Sequence, residues 1–137
     1  MDRRVIEQKL ETLRYCVQRV AQRCPNDPNQ LQQDPDTQDI IALNLSRAVR
    51  QQCVDIGAHL VTALELPPPG TMGETFDRLA EGQIIDSSLA DRLKKAVGFR
   101  NIAVHNYERI NGEIVHAVCS RHLDDFRTFA RTVNERL

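Results

Sequence analysis

An all-α bundle is the fold this sequence predicts, and three observations carry it. Apolar residues recur at helical spacing through the long segments, helix-entry signals stand in front of several of them, and no segment shows the period-two alternation of a half-buried strand. Four main helices with shorter helical pieces, in one domain over residues 1–137, are expected. No internal repeat is visible.

Residues 3–24 form the first helix. Val5, Ile6, Leu10, Leu13, Val17 and Val20 make one stripe, with Arg, Glu and Gln opposite. Pro25 and Pro28 end it. Residues 25–36 read as a polar, acidic link. Asp34-Pro35 is a helix entry, a capping carboxylate followed by proline at the first helical position. The second helix runs from there to about Glu65, and its apolar residues cover more than one face, as in a central helix with two neighbours. Gly57 is expected to mark a close helix crossing, and His59 to be a core or interface histidine.

Pro67-Pro68-Pro69-Gly70 is a stop between helices. Thr71 with Glu74 makes a capping-box pattern for a short helix carrying Phe76, Leu79 and Ala80, closed by Gly82. Asp86 opens the next helix. Leu89, Leu93, Ala96 and Val97 are its buried side, and the apolar run Ile102-Ala103-Val104 predicts that it continues through Arg100–His105 to about Asn106 or Tyr107. Asn111-Gly112 is a turn, Glu113–Cys119 a short helical piece, and about 122–136 a last helix with Leu123, Phe126, Phe129, Ala130 and Val133 on one stripe.

Composition narrows the function. With 41% apolar and 27% charged residues the chain is of the soluble globular type, and its scarce aromatics require an aliphatic core. A formal net charge of −1 argues against indiscriminate nucleic-acid binding. The charge is uneven, however: residues 1–91 carry 9 basic and 14 acidic side chains, residues 92–137 carry 9 and 5. No stretch approaches the roughly 20 apolar residues of a membrane span, and the start of the chain runs into an amphipathic pattern rather than an apolar leader, so a cytoplasmic protein is expected. Cys16, Cys24, Cys53 and Cys119 are widely spread with no Cys-x-x-Cys, and are expected to be reduced core residues.

The chemistry gathers in Arg100-Asn101-Ile102-Ala103-Val104-His105-Asn106-Tyr107, a polar strip set among apolar residues. On a straight helix of about 100° per residue, Asn101 and His105 share a face, whereas Arg100 and His105 stand about 140° apart. Either the arginine curls round, or two copies meet across a two-fold axis and assemble composite sites in a homodimer. Arginine with histidine and no metal cluster suits cleavage of an RNA phosphodiester. The ribose 2′-hydroxyl is the internal nucleophile, histidine moves the proton near neutral pH, and the guanidinium fork holds the phosphate. A 2′,3′-cyclic phosphate and a 5′-hydroxyl are the expected products. By spacing alone, Arg-x4-His is a weak pattern, and a helix end with a capped histidine is the favoured reading of it.

The strip resembles the Arg-x4-His-x-Tyr motif of the HEPN superfamily, in its HepT-like toxin branch. The likeness continues through Tyr107–Val115 and His122–Phe126, covers residues 86–130 well, and holds for residues 1–85 only in helical layout. The resemblance implies a dimeric α-bundle with a metal-independent endoribonuclease site in a shared cleft. It implies Arg100 and His105 as catalytic residues, Asn101 as their support, and Tyr107 as the tyrosine to which a partner nucleotidyltransferase antitoxin of the MntA type adds AMP. The antitoxin would use ATP and Mg2+, and the nuclease no cofactor. The RNA is a transfer or a messenger RNA. This is the logic of a type VII toxin–antitoxin pair.

Two positions depart from the family pattern. Asn106 stands where many relatives carry glycine, and a proline is missing near Leu123-Asp124, so the last two helical pieces are expected to be more continuous. Two other readings stay open. Related HEPN chains act as non-catalytic substrate-binding or regulatory subunits of a nucleotidyltransferase. His116, Cys119 and His122 follow one another at three-residue spacing, a weak zinc pattern without a fourth ligand nearby. Arg92, Lys94 and Lys95, and Arg121, Arg127, Arg131 and Arg136, read either as guides for RNA phosphates or as a solvated face.

Overall fold

Helix ends, more than helix interiors, explain the architecture. The computed structural model describes residues 2–99 and 111–137 in full, and residues 104, 105, 109 and 110 by their backbone pairing. Helix α1 spans Arg3–Arg23, with the Asp2 carboxylate accepting from the Arg4 and Val5 amides. Its buried stripe is Ile6, Leu10, Leu13, Cys16, Val17 and Val20. The expected link after it contains a short helix, α2 (Pro28–Gln32), with Asp27 accepting from the Asn29 amide and Pro28 at the first position. This is the same Asp-Pro entry that opens α3 (Pro35–Ser46), where Asp34 accepts from Thr37. One apolar residue anchors α2: Leu31 is fully buried. The buried Gln38 amide donates to its carbonyl and ties α2 to α3.

From α3 the chain continues as helix without a break. A π-helical segment, Arg47–Cys53, leads into α4 (Val54–Ala63). The single long helix expected up to about Glu65 is thus present, with one locally widened stretch. Gly57 sits where α4 crosses α5 (Met72–Glu81). A Cβ there would stand 2.6 Å from Thr75 Cγ2 and 3.4 Å from Leu79 Cδ1, so the close crossing follows from the missing side chain. Helix α5 is capped by Thr71, while Glu74 reaches back to the Gly70 amide at 2.7 Å. Helix α6 (Ser87–Val97) starts at Asp86, which accepts from the Leu89 amide at 2.6 Å.

After α6 the sequence-based expectation fails. The helix does not run on to His105. It ends at Val97, with Gly98 as its C-cap, and Phe99 is helical again. Val104–His105 (β1) and Arg109–Ile110 (β2) then pair as a two-residue antiparallel ladder, with Val104 opposite Ile110 and His105 opposite Arg109. Two causes are local. Glycine is a poor helix former, and the β-branched Val104 and Ile110 suit a ladder better than a helix interior. Among the described residues the all-α class holds, with this small ladder as the exception.

Helices α7 (Gly112–Arg121) and α8 (Leu123–Glu135) complete the chain. Asn111 caps α7, accepting from the Glu113 and Ile114 amides, so the expected turn is a helix start. The two helices are not continuous. His122 lies between them at φ −114°, ψ 4°, with Asp124 and Asp125 in the first turn of α8, where negative charge favours a new start.

Helix α1 packs against α3, the π segment and α8, while α5 packs between α4 and α6, and α2 on α7. The apolar faces meet in one cluster, in which Phe76 of α5 and Phe129 of α8 touch edge to face with ring centres 6.0 Å apart. Cys16 and Cys53 are buried free thiols, as expected. Cys24 and Cys119 are not: they pair as a disulfide across 95 residues of sequence, joining the end of α1 to the last turn of α7. Their separation hides the pairing from any local pattern.

Candidate active site

The strip singled out in the sequence lies between α6 and α7. Arg100, Asn101 and Tyr107 fall outside the described residues, as does Asn106. His105 is placed by its backbone on β1. That placement removes the premise of the 140° separation, because Arg100 and His105 do not ride one straight helix. Composite sites across a two-fold axis therefore need support other than that angle. The ladder also brings in a residue the sequence reading passed over: Arg109 stands across from His105. Only the pairing register marks it.

Both flanks of the strip are held firmly. At the end of α6, Arg50 of the π segment donates to the Val97 carbonyl at 3.5 Å, a cation on the negative end of the helix. Lys94 and Lys95 lie in the same last turn. Phe99, adjoining Arg100, is 6% exposed and packs into the core. On the far side, the Gly112 amide donates to Gln32 Oε1 of α2 at 2.9 Å. A side chain at Gly112 would run into Gln32 and approach its Cα at 3.1 Å, so glycine lets α7 start directly against α2. The helix ends that precede and follow the strip in the chain are thereby anchored.

Helices α6, α7 and α8, with Phe99, line a groove of about 360 Å³ whose walls include Arg92, Lys95, Ile114, His122 and Phe126. Its lining is mainly apolar, with Arg92, Lys95 and His122 as basic residues and Asp125 among them. Arg92 is held by Asp125 at 2.7 Å, and His122 Nδ1 lies 3.5 Å from the same carboxylate. Lys94 pairs with Asp77 at 3.0 Å. Lys95 is exposed and has no ion-pair partner among the described residues. Arg127 pairs with Asp124, and Arg136 donates to the Gln83 carbonyl. Arg92, Lys94 and Arg127 are thus paired, whereas Lys95, on the wall of the groove, is exposed.

The weak zinc pattern disperses. His116 Nε2 lies 2.7 Å from the Pro25 carbonyl, Cys119 is bonded to Cys24, and His122 faces Asp125. His59 is half-buried on α4. Among the described residues, no helix is long and apolar enough to cross a membrane.

The bundle as a whole has the fold of a HEPN toxin of known structure. The solved structure of a tri-AMPylated Shewanella oneidensis HEPN toxin in complex with its MNT antitoxin has the same fold, with a TM-score of 0.86, 36% identity, and coverage of 98% of this chain and 99% of that one. Within that class, the chain belongs to the Ribonuclease HepT-like family, which it matches over residues 6–133. The match reaches well beyond the stretch in which the sequence alone showed the likeness. The mRNA nuclease HepT of Shewanella oneidensis is 39% identical over 125 residues, 91% of this chain and 92% of that protein. The tRNA nuclease HepT of Aphanizomenon flos-aquae is 29% identical over 100 residues, 73% of this chain and 68% of that protein. The enzyme class read from Arg100 and His105, a ribonuclease, is the class of the family.

Proposed function

We propose that this chain is the toxin of a type VII toxin–antitoxin pair, an endoribonuclease of the cytoplasm silenced by a nucleotidyltransferase of the MntA type. The observation that carries the reading is the match, over nearly the whole chain, to a nuclease named HepT, in a sequence that keeps Arg100, His105 and Tyr107 together. His105 takes the proton of the ribose 2′-hydroxyl and returns a proton to the departing 5′-oxygen. Arg100 holds the phosphate and offsets the charge gathering on it, and Asn101 orients the pair. Attack by the neighbouring 2′-oxygen leaves a 2′,3′-cyclic phosphate and needs no metal-bound water, so the nuclease uses no cofactor. Lys95 at the edge of the groove draws the RNA backbone toward the strip. The resemblance to the HEPN motif, rather than the helix angle, is the ground for a homodimer that supplies the second wall of the cleft.

Silencing follows from the same chemistry. The antitoxin, using ATP and Mg2+, transfers AMP to the Tyr107 hydroxyl. The added phosphate is an anion two residues from His105 and seven from Arg100, so it competes for the guanidinium and fills the cleft. The tri-AMPylated state of the Shewanella oneidensis toxin supports this reading.

The test is RNA cleavage by the purified chain in the presence of EDTA, beside Arg100→Ala and His105→Ala. Cleavage by the wild type with cyclic phosphate ends, and its loss in both variants, is expected. Wild-type rates in either variant would remove that residue from the chemistry. An EDTA-sensitive reaction would remove the metal-free mechanism.

A further inference from the structure

The four cysteines fall into two pairs with opposite surroundings. Cys16 and Cys53 are fully buried, and burial pushes both thiols up, so neither forms a thiolate readily. Cys24 and Cys119 instead line a polar cavity of about 370 Å³ that opens to the surface beside Asn26, His116, Arg121 and Arg127. Their Cα atoms are 6.1 Å apart, within the normal span of a disulfide.

Each of these sulfurs also has a partner for its reduced form. Cys24 Sγ is 3.7 Å from the Pro25 carbonyl, and Cys119 Sγ is 3.6 Å from the His116 carbonyl. The His116 ring contacts the Pro25 carbonyl in turn, at 2.7 Å, so α1 and α7 stay joined when the sulfurs part. The same backbone therefore serves a disulfide and a pair of hydrogen-bonded thiols. Helix α7 is also the element that follows directly on β2, whose partner strand carries His105.

We propose that Cys24–Cys119 is a reversible redox-modification site, a clasp between α1 and α7 that is opened by a small acidic thiol entering the cavity. The thiolate of the small molecule attacks one sulfur, forms a mixed disulfide and releases the other cysteine as thiolate. A second small thiolate attacks the outer sulfur of the mixed disulfide. The second cysteine leaves, and the small molecule departs as its own disulfide. Two electrons pass from two small thiols to the protein, and two protons end on the cysteines. Reoxidation reverses the steps with the small-molecule disulfide as oxidant. Arg121 at the cavity mouth attracts the carboxylates of an acidic thiol. Arg127 is engaged by Asp124 at 2.7 Å.

The experiment uses the full chain, poised in mixtures of reduced and oxidised glutathione, quenched with acid and alkylated in denaturant. Peptide mass spectrometry then reads each cysteine. Cys24 and Cys119 should lose alkylation together in the oxidised mixtures and regain it together in the reduced ones, under native conditions. Cys16 and Cys53 should be alkylated throughout. Alkylation of Cys24 and Cys119 at every poise would show that no bond forms. Blockage that persists until denaturant and strong reductant are combined would show a permanent staple. Either result overturns the proposal.

Reduction should also lower the Tm of the wild type, on the order of 10 °C for a closed loop of this length, and leave the Tm of a Cys24→Ser/Cys119→Ser double variant unmoved. Equal wild-type values would overturn the clasp. Arg121→Ala should slow reduction by glutathione severalfold while sparing reduction by uncharged 2-mercaptoethanol, and an unchanged ratio of the two rates would overturn the acidic-thiol entry. These readouts are thiol counts and melting curves, so they stand apart from the nuclease reading.

Discussion

The helical body and the short ladder that carries His105 are built on different rules. In the body, apolar residues at helical spacing share a single core, and side chains such as Asp2, Asp34, Thr71 and Asp86 close the open helix ends. The ladder has two residue pairs and no helical period, and the segments on either side of it are held by Arg50 on the end of α6 and Gln32 on the start of α7. The body stores the stability, and the proposed chemistry falls on the strip that includes the ladder. Substitutions in the two regions should therefore fail in opposite ways.

The largest effect falls on the ladder side. His105→Ala and Arg100→Ala should each reduce RNA cleavage by about 10²–10⁴-fold, with the helical circular-dichroism signal and the Tm within a degree or two of wild type. Phe76→Ala is the counterpart in the body. The ring is fully buried and packs edge to face on Phe129, so its removal opens a cavity and should cost about 3–5 kcal/mol. Urea melts read that loss directly. At temperatures where the variant remains folded, its cleavage rate should stay near wild type. A Phe76→Ala protein that is fully folded at low temperature yet inactive would erase the division between body and ladder.

The sequence spoke clearly wherever one local rule governed. The stripe of α1, the Asp-Pro entry of α3, the Thr71 and Asp86 caps and the Gly57 crossing were all readable, because each needs only near neighbours. Three features were not, for three physical reasons. Ile102-Ala103-Val104 continues the apolar spacing of α6, so the period hid the helix stop that Gly98 supplies. Leu31 is a lone apolar anchor, too little for a periodic signal, although Asp27-Pro28 repeats the entry that was recognised at Asp34-Pro35. The Cys24–Cys119 bond is a product of the tertiary fold, and no spacing rule reaches across 95 residues. At the site, residue types and spacing alone favoured a capped helix end, and the resemblance to the HEPN motif turned the reading to a nuclease, whereas the ladder register that sets Arg109 opposite His105 came from the structure alone.

Where the two regions join, the expected effect is smaller. Asn111 ends the ladder segment and caps α7, satisfying two open amides. Asn111→Ala should cost about 1 kcal/mol of stability. The loosened helix start also adjoins the ladder, so cleavage should fall severalfold more than the stability change alone accounts for. A Tm loss with no change in rate below the transition would show that the ladder keeps its geometry without a capped α7, and the join would then belong to the body.

The smallest effect tests whether capping in the body is electrostatic as well as geometric. Asp34 accepts from the Thr37 hydroxyl at 2.7 Å and from its amide at 3.1 Å, and these bonds hold its carboxyl below the usual carboxylate range. A depressed folded-state pKa favours the ionised cap. Its contribution is present at neutral pH and is lost as the pH falls below about 4, where the unfolded carboxyl protonates first, and on through the folded value. Asp34→Asn keeps an acceptor at the cap but cannot titrate. The stability difference between wild type and variant should therefore favour wild type at pH 7 and shrink steadily on acidification, read as the gap between their urea midpoints. A gap that stays constant from neutral to acid pH would mean that hydrogen-bond geometry alone closes this helix, and that charge adds nothing to the rule by which the body was read.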